Sequence, residues 1–580
     1  MIIVILDKLH LKGFRNYIDE TISFNRSTLI IGPNDSGKTN LLYALRLLFD
    51  KSISENDLDL LDSDFNAYSH ANTVEITAYI KDITEDCLIS TFNGNIKDNK
   101  LIIRYTWEKN GGEYSIQAGY DEEHLQDLKS RNYVRYLNMQ YVDTNRDLHA
   151  FMRKERQRLL VLSKETLSEA ELAEDKGRTK QIQEDLNKIN EQINSLNYID
   201  TALDNVNAQL SALSAGNEDQ KVRFVAGSSD AEKMLSDVVL SYSTDDGPLT
   251  MGGDGRNNQI YLSAWLAKQH IKEAPDHVTF YAIEEPEAHL HPHQQRKLAE
   301  YLAKTLNGQV IITSHSPQIA QVYQAQNMVR LYMENKVTHA ASGTADSRIH
   351  EAYKRFGYRL NAVSAEIFFS DGVFLVEGTS EVIFYNALAK ALRLELDRRN
   401  ISILSVEGIG FIPYVAICQA LHIPWRLRTD NDIFKYKGRT EYHFAGIERA
   451  LKITDECRLN YIAPDKWIHG EKNFKTKRPN VNCRKANQAV RDSIKKVGIY
   501  LSDIDLENDL AESPLSNVLK QYYSVEGYKE LVEAMQKRKA ENMFGFVNDK
   551  EESLKLLERD KIVEPLQSLI EEVESRVHPK

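Results

Sequence analysis

The sequence predicts an α/β protein in two parts: a nucleotide-binding head interrupted by a helical insert, then a second α/β domain. Three observations predict it. A complete G-x-x-x-x-G-K-[ST] loop lies between a strand signal and a helix signal. A polar, Gly-poor stretch carries apolar residues at heptad spacing. Further on, carboxylates recur at the ends of apolar runs. Composition permits this reading: 580 residues, 42% hydrophobic and 27% charged, suit a globular chain of several cores. A net charge of −12 excludes a uniformly basic surface but leaves room for a local basic patch. Cys87, Cys418, Cys457 and Cys483 lack metal-ligand spacing, which fits a reducing compartment. The apolar opening Met1 to Leu6 is too short for a signal peptide, and no run reaches the ~20 apolar residues of a membrane span. A soluble, cytoplasmic protein is expected.

The loop is Gly32-Pro33-Asn34-Asp35-Ser36-Gly37-Lys38-Thr39. The apolar run Thr28 to Ile31 before it reads as a strand, and Asn40 to Phe49 after it reads as an amphipathic helix. Backbone N–H groups of such a loop cradle phosphate oxygens, and the helix N-terminus adds its dipole. Lys38 is placed to reach the β/γ-phosphates and Thr39 the Mg²⁺. Up to about residue 150 the chain reads as short strands, such as Val74 to Ile80 and Leu101 to Trp107.

From Asp147 to Ser214 the texture becomes polar and helical. Ile182, Leu186, Ile189, Ile193 and Leu196 alternate steps of four and three. After one three-residue slip the pattern resumes at Ile199, Leu203, Val206, Leu210 and Leu213. This is a heptad seam with a phase break. It serves either one long helix packed on its own domain or an insert that pairs with another chain.

Strand and helix signals return from Val222. Phe280 to Glu285 is an apolar strand ending in two acids, the form of a Walker B element, with Glu284 for Mg²⁺ and Glu285 to polarise the attacking water. Pro286 to Pro292 follows at once, and Val310 to Ser316 reads as a buried strand ending in His315. This order resembles the ABC and SMC ATPase heads. The resemblance implies a γ-phosphate sensor in His315, an approach of Arg15 to the nucleotide from Lys12-Gly13-Phe14-Arg15-Asn16-Tyr17, and a sandwich of ATP between two copies. Met251 to Arg256 is the candidate signature loop, although it lacks a Leu-Ser-Gly-Gly opening. Glu284 stands where Asp is usual, which points to ATP as a bound regulator more than as fuel.

A second α/β segment begins near Phe368. Val373 to Val376 reads as a buried strand closed by Glu377-Gly378-Thr379-Ser380-Glu381. Trp425 to Thr429 leads into Asp430-Asn431-Asp432, and Asp505-Leu506-Glu507 follows Ile504. Residues i and i+2 on extended backbone project to one side, and i and i+4 share a helix face. Both pairs are read as the first, and Glu377 and Glu381 suit the second if a helix starts at Glu377. Converged carboxylates repel unless cations neutralise them, and hard divalent ions are the natural partners. Two such ions suit phosphodiester displacement. A cation for the phosphate is available in Gln536-Lys537-Arg538-Lys539. Lys466 to Lys496 holds ten Lys/Arg against Glu471 and Asp492. That segment is either a solvated face or a track for a phosphate backbone, led by Lys475, Lys477, Arg478, Arg484 and Lys485.

Glu after one strand and Asp-x-Asp after a later one resemble a Toprim domain. An ABC/SMC-type head followed by a Toprim α/β domain resembles the OLD (overcoming lysogenization defect) nuclease family over essentially the whole chain, and Ile499 to Leu510 is most similar to its anti-phage branch. The resemblance implies boundaries at 1–147 and 221–347 for the ATPase, 148–220 for a helical dimerisation insert, and 348–580 for the Toprim domain. It implies a base or metal acid in Glu377, metal ligands in Glu381, Asp430, Asp432, Asp505 and Glu507, and a phosphate-stabilising cation in Lys539, with Lys537 second. It further implies two Mg²⁺ or Mn²⁺ ions, ATP with Mg²⁺ on the loop carrying Asn34, Gly37, Lys38 and Thr39, and double-stranded DNA as substrate. Self-association as a dimer or dimer of dimers and a UvrD-type helicase partner also follow from it. The alternative is a RecF-like repair ATPase that binds DNA without cutting it, for which three carboxylate groups have no use. A topoisomerase would need a tyrosine nucleophile in a separate domain, and none is marked by motif.

Overall fold

The computed structural model describes residues 4–109, 113–144, 160–161, 163–213, 230–236, 242–244, 247–249, 254–271, 277–306, 308–342, 364–435, 440–470, 472–475 and 479–577. These form two compact units. One comprises residues 1–144, 276–287 and 292–580; the other comprises 145–275 with 288–291.

The first unit begins with alternation. Leu6, Leu9 and Leu11 are buried while Lys8 and Lys12 are exposed, the period of a strand with one dry face. Ile5–Phe14 accordingly joins a six-stranded antiparallel sheet ordered Tyr17–Ser23, Ile5–Phe14, Thr73–Lys81, Leu101–Glu108, Tyr114–Gly119, Gln126–Asp127. A second six-stranded sheet is ordered Val337–Ser342, Met328–Glu334, Ser27–Ile31, Val310–Thr313, Val278–Glu284, Leu137–Val142, parallel except at its Val337–Ser342 edge. Its inner strands are buried on both faces, as Val310–Thr313 is throughout, so they read as continuous apolar runs. The helix Lys38–Phe49 belongs to the core that joins the two sheets, with Phe49 edge-on to Phe280 at 5.4 Å.

Later in the same unit, four parallel strands are ordered Ile401–Ser405, Gly372–Val376, Trp425–Thr429, Ile499–Leu501. The chain moves from Gly372–Val376 to one side and then jumps back to the other. The crevice at the carboxyl ends of Gly372–Val376 and Trp425–Thr429 is therefore the switch point where ligands bind in open α/β sheets. The helix Glu564–Val577 packs on both of these strands and on Met328–Glu334 of the head sheet. Arg330 on that head strand is buried and donates to the carbonyl of Ser370 at 2.8 Å and to Asp371 at 3.3 Å, which ties the two sheets into one body.

In the second unit the heptad seam is carried by two helices, not one. Glu169–Asn194 starts at a Ser168/Glu171 capping box and ends at Ser195, and Asn197–Leu213 follows. The phase break in the sequence is this helix boundary. Among the described residues Leu186 and Leu203 are buried, whereas Ile189 is 47% and Val206 46% exposed, so the seam is only partly buried there. Ala231–Ser236 packs on the first helix, with the Ala231 N–H donating to Gln183. Among the described residues no helix is long and apolar enough to cross a membrane.

Candidate functional site

The phosphate loop leaves the Ser27–Ile31 strand and enters the helix Lys38–Phe49, as the motif requires. Gly37 has φ 97°, and a Cβ there would lie 2.2 Å from Asn16 Nδ2, so the turn into the helix needs glycine. Lys38 Nζ donates to the carbonyls of Gly32 and Pro33 at 2.9 and 2.7 Å. Burial lowers its pKa to about 8, against the raising effect of Glu285, Asp35, Glu284 and Glu287. Thr39 Oγ1 donates to Glu284 Oε1 at 2.5 Å, which brings the two Mg²⁺ candidates together. Tyr141 donates to the other oxygen of Glu284. Glu285 begins the turn after the strand at φ 42°, and His315 Nε2 stands 3.2 Å from its Oε1. Burial and Lys38 lower the His315 pKa to about 4, so the imidazole is neutral at neutral pH. Glu287 orients this histidine's backbone by accepting its N–H at 2.6 Å, and burial raises the Glu287 pKa. Asn34 is exposed on the loop. Arg15 lies along the helix start, bonded to Asn40 at 2.7 Å and Asp64 at 2.8 Å. Of the candidate signature loop, Met251 to Gly253 fall outside the described residues, and Asp254 opens the helix Asp254–Ile271.

The carboxylates gather at the switch point of the four-stranded sheet. Glu377 follows Val376, and Asp430 follows Thr429. Burial, then Glu377 and Glu381, push the Asp430 carboxyl up to about 8. Asp432 is raised by burial, then by Glu377, with Asp505 also contributing. Lys539 reaches in from the start of the helix Lys539–Lys550 and meets Glu507 at 2.9 Å. Burial works against its charge, but Glu507, Asp430 and Asp505 outweigh it and hold the ammonium above its ordinary pKa. Six carboxylates and Lys539 thus share one electrostatic site. Among the described residues no three His, Cys, Asp or Glu side chains stand close enough to hold an ion as placed. The donor set still fits a hard divalent cation, because burial and neighbouring carboxylates oppose the charged form of several of its acids, and a bound cation offsets that opposition.

Two local expectations are corrected. Asp505 and Glu507 do not lie on one extended segment: Asp505 is extended but N-caps the helix Leu506–Glu512, accepting the Asn508 N–H at 2.7 Å, and Glu507 lies in that helix's first turn, 2% exposed. The cap starts a helix directly after Asp505 by satisfying an otherwise unpaired helix donor, and this takes Glu507 out of the extended segment. Glu377 and Glu381 do not share a helix face, because the helix begins at Thr379 and Glu381 turns back to accept the Gly378 N–H at 3.0 Å.

Several neighbours of the candidate residues carry no motif of their own: Arg449 and Thr429, which bond Glu377; Gln536, which donates to Asp505 at 2.8 Å; and Tyr141 and Glu287 in the head. Thr429, directly before Asp430, is the one that strand-end position could have flagged. Beneath the crevice, buried Arg428 bonds Asp509 at 2.5 Å, Tyr385 at 2.7 Å and Ser502 at 3.0 Å. Lys475, Arg484 and Lys485 are exposed; Lys477 and Arg478 fall outside the described residues.

This fold and site define a P-loop ATPase head joined to a Toprim domain. The chain belongs to the family described as AAA domain, putative AbiEii toxin, Type IV TA system, whose model matches residues 27–320. The model for the overcoming lysogenization defect protein-like TOPRIM domain matches residues 368–432. The chain is 27% identical to Endonuclease GajA of Bacillus cereus (strain VD045), over 93% of this chain and 94% of that one. It is 24% identical to the OLD nuclease of Thermus scotoductus, over 75% of this chain and 84% of that one. Among solved structures, the Smc head domain of Pyrococcus furiosus with an extended coiled coil is 15% identical, covers 60% of this chain and 100% of its own, and has a TM-score of 0.37. The protein is an OLD-family nuclease, close to GajA, with an ATP-binding head.

Proposed function

We propose that the protein is a metal-dependent endonuclease that nicks or cuts double-stranded DNA under the control of nucleotide bound to its head, and that it acts in anti-phage defence. The observation that carries this reading is a set of contacts at the switch point of the Toprim sheet: the Asp430 N–H donates to Glu377 at 2.9 Å, the Asn431 N–H donates to the Ile504 carbonyl, next to Asp505, at 2.7 Å, and Lys539 meets Glu507 at 2.9 Å. In this assignment Glu377, Glu381, Asp430, Asp432, Asp505 and Glu507 hold one or two Mg²⁺ or Mn²⁺ ions. Bound there, such ions supply charge neutralisation and activation of the attacking and leaving oxygens. Lys539 offers its ammonium to the scissile phosphate, Gln536 fixes Asp505, and the exposed Lys475, Arg484 and Lys485, with Lys477 and Arg478, track the DNA backbone.

In the head, Asn34, Gly37 and Lys38 take the phosphates, Thr39 and Glu284 serve Mg²⁺, Glu285 and His315 face the γ-phosphate, and Arg15 supports the helix start. The Glu284 position favours sensing over rapid turnover. Residues 1–147 and 221–347 are assigned to the ATPase, 148–220 to self-association as a dimer or dimer of dimers, and 348–580 to the nuclease. The exposed seam on the insert supports the second of these. The likeness to GajA further suggests GajB, a UvrD-type helicase, as partner and a cytoplasmic site of action. The RecF-like alternative leaves the carboxylate site without a task.

The test is conversion of supercoiled plasmid by purified protein with Mg²⁺ or Mn²⁺, beside Glu377→Ala and Asp430→Asn. Nicked or linear product from the wild type alone is expected. Product that persists in both variants, or none from any protein under either metal, would reject the assignment.

A further inference from the structure

We propose that Arg449 is a positioning residue for the nuclease: it locks one oxygen of Glu377 so that the other is presented to the divalent cation. The inference rests on the metal-dependent reading above. The helix Ala445–Glu456 carries Arg449 one turn from its start. That start lies hard against the Asp-x-Asp segment, since a Cβ on Gly446 would sit 2.2 Å from the Asp430 carbonyl oxygen and 2.6 Å from Asn431 Cα. Only glycine permits this approach, and the approach sets the guanidinium over the end of the Gly372–Val376 strand. The Arg449 side chain is 13% exposed, and its Nη1 stands 2.5 Å from Glu377 Oε1 and 3.4 Å from the Asp430 carbonyl oxygen.

The same Nη1 donates to Thr429 Oγ1, whose hydroxyl donates in turn to Glu377 Oε1, and the Asp430 N–H donates to that oxygen at 2.9 Å. Three donors from two elements therefore converge on Oε1, while no described protein group bonds Oε2. A carboxylate held by one oxygen keeps its plane and loses little freedom when a cation takes the other oxygen. Arg449 thus acts through Glu377, as an outer partner acts on a metal ligand, and its cationic charge sets a ceiling on how closely it can be approached by the ion itself.

The experiment is Mn²⁺ binding to the full chain without nucleotide, followed by electron paramagnetic resonance, for wild type, Glu377→Gln, Arg449→Gln, Arg449→Lys and the Glu377→Gln/Arg449→Gln pair. Positioning predicts a Glu377-dependent Mn²⁺ site that Arg449→Gln weakens about tenfold, or about 1.4 kcal/mol. Arg449→Lys is expected to restore part of that loss, and the paired variant to bind no worse than Glu377→Gln alone. Cleavage by Arg449→Gln should recover at high Mn²⁺. A Glu377-dependent site that Arg449→Gln leaves unchanged or tightens would overturn the proposal and leave the metal reading intact; tightening would mean that the arginine competes with the ion. A wild type with no Glu377-dependent Mn²⁺ site would overturn both. Arg449→Lys, which keeps the cation, guards against a loss caused by misfolding: a folded Arg449→Lys as weak as Arg449→Gln would also overturn the proposal.

Discussion

Replacing Asp430 with Asn should stabilise the protein while destroying the nuclease. The Asp430 carboxyl is raised from 3.8 to about 8 by burial, then by Glu377 and Glu381, although Arg428 and Lys539 pull the other way. An acid whose pKa is higher in the folded state binds protons more tightly there than when unfolded. Its ionisation therefore opposes folding from the unfolded pKa upward, and the opposition saturates above the folded pKa. At pH 7 the difference spans roughly three units, a ceiling of about 4 kcal/mol at 1.36 kcal/mol per unit. Asp430 keeps some contact with water, and halving for that contact leaves about 2 kcal/mol. Asn removes the titration while its amide can still accept from Ser502, which lies 3.3 Å from Asp430 Oδ1. Urea unfolding in EDTA should thus show Asp430→Asn more stable by about 2 kcal/mol at pH 7, falling below about 1 kcal/mol at pH 5. Mn²⁺ should raise the wild type and not the variant. A variant equal to or weaker than wild type at pH 7, or a difference flat in pH, would refute the electrostatic reasoning.

Further outcomes are expected at the other groups. Lys38→Ala should weaken a fluorescent ATP analogue by at least about tenfold, since a charge-assisted phosphate contact is worth about 1.5–3 kcal/mol; unchanged fluorescence titration would contradict the assigned loop. Asp509→Ala strands the buried Arg428 guanidinium and should lower unfolding stability by about 3–5 kcal/mol in urea, whereas a loss under about 1 kcal/mol would mean the pair is not buried. Charge reversal at Lys475, Arg484 and Lys485 should weaken DNA binding and flatten its salt dependence by roughly 0.9 per lost phosphate contact. An unchanged slope in anisotropy titrations would place the DNA elsewhere. Lys539→Ala should slow cleavage about 10²–10³-fold in single-turnover kinetics if it stabilises the phosphate, and hardly at all if it only pairs with Glu507.

Much of this was legible in the sequence, because the relevant signals are local. A phosphate loop needs its glycines and flanking elements in a fixed order, and Ser27–Ile31 and Lys38–Phe49 lie where Gly32 to Thr39 place them. Strand-end acids announce a crevice because parallel strands deliver their carboxyl ends to one edge. The misses come from competing local chemistry and from long-range approach. Asp505 and Glu381 have the spacing of simple pairs, yet each is drawn to an unpaired backbone N–H at a helix start, and i, i+2 counting contains no such term. Arg449 comes to Glu377 across 72 positions, through a helix docked by Gly446, and no spacing within its own segment encodes that meeting. The slip between Leu196 and Ile199 was visible, but whether a helix bends or restarts there depends on the Ser195 end, where local capping decides.

In the proposed reading one chain holds a cutting site and a separate site that reads nucleotide. The most direct measurement is plasmid conversion in Mn²⁺ across an ATP titration, for wild type, Glu377→Ala and Lys38→Ala. ATP-sensitive cleavage is expected from the wild type, none from Glu377→Ala at any ATP concentration, and cleavage that no longer responds to ATP from Lys38→Ala. Cleavage by Lys38→Ala as sensitive to ATP as the wild type, or cleavage by Glu377→Ala, would contradict that reading.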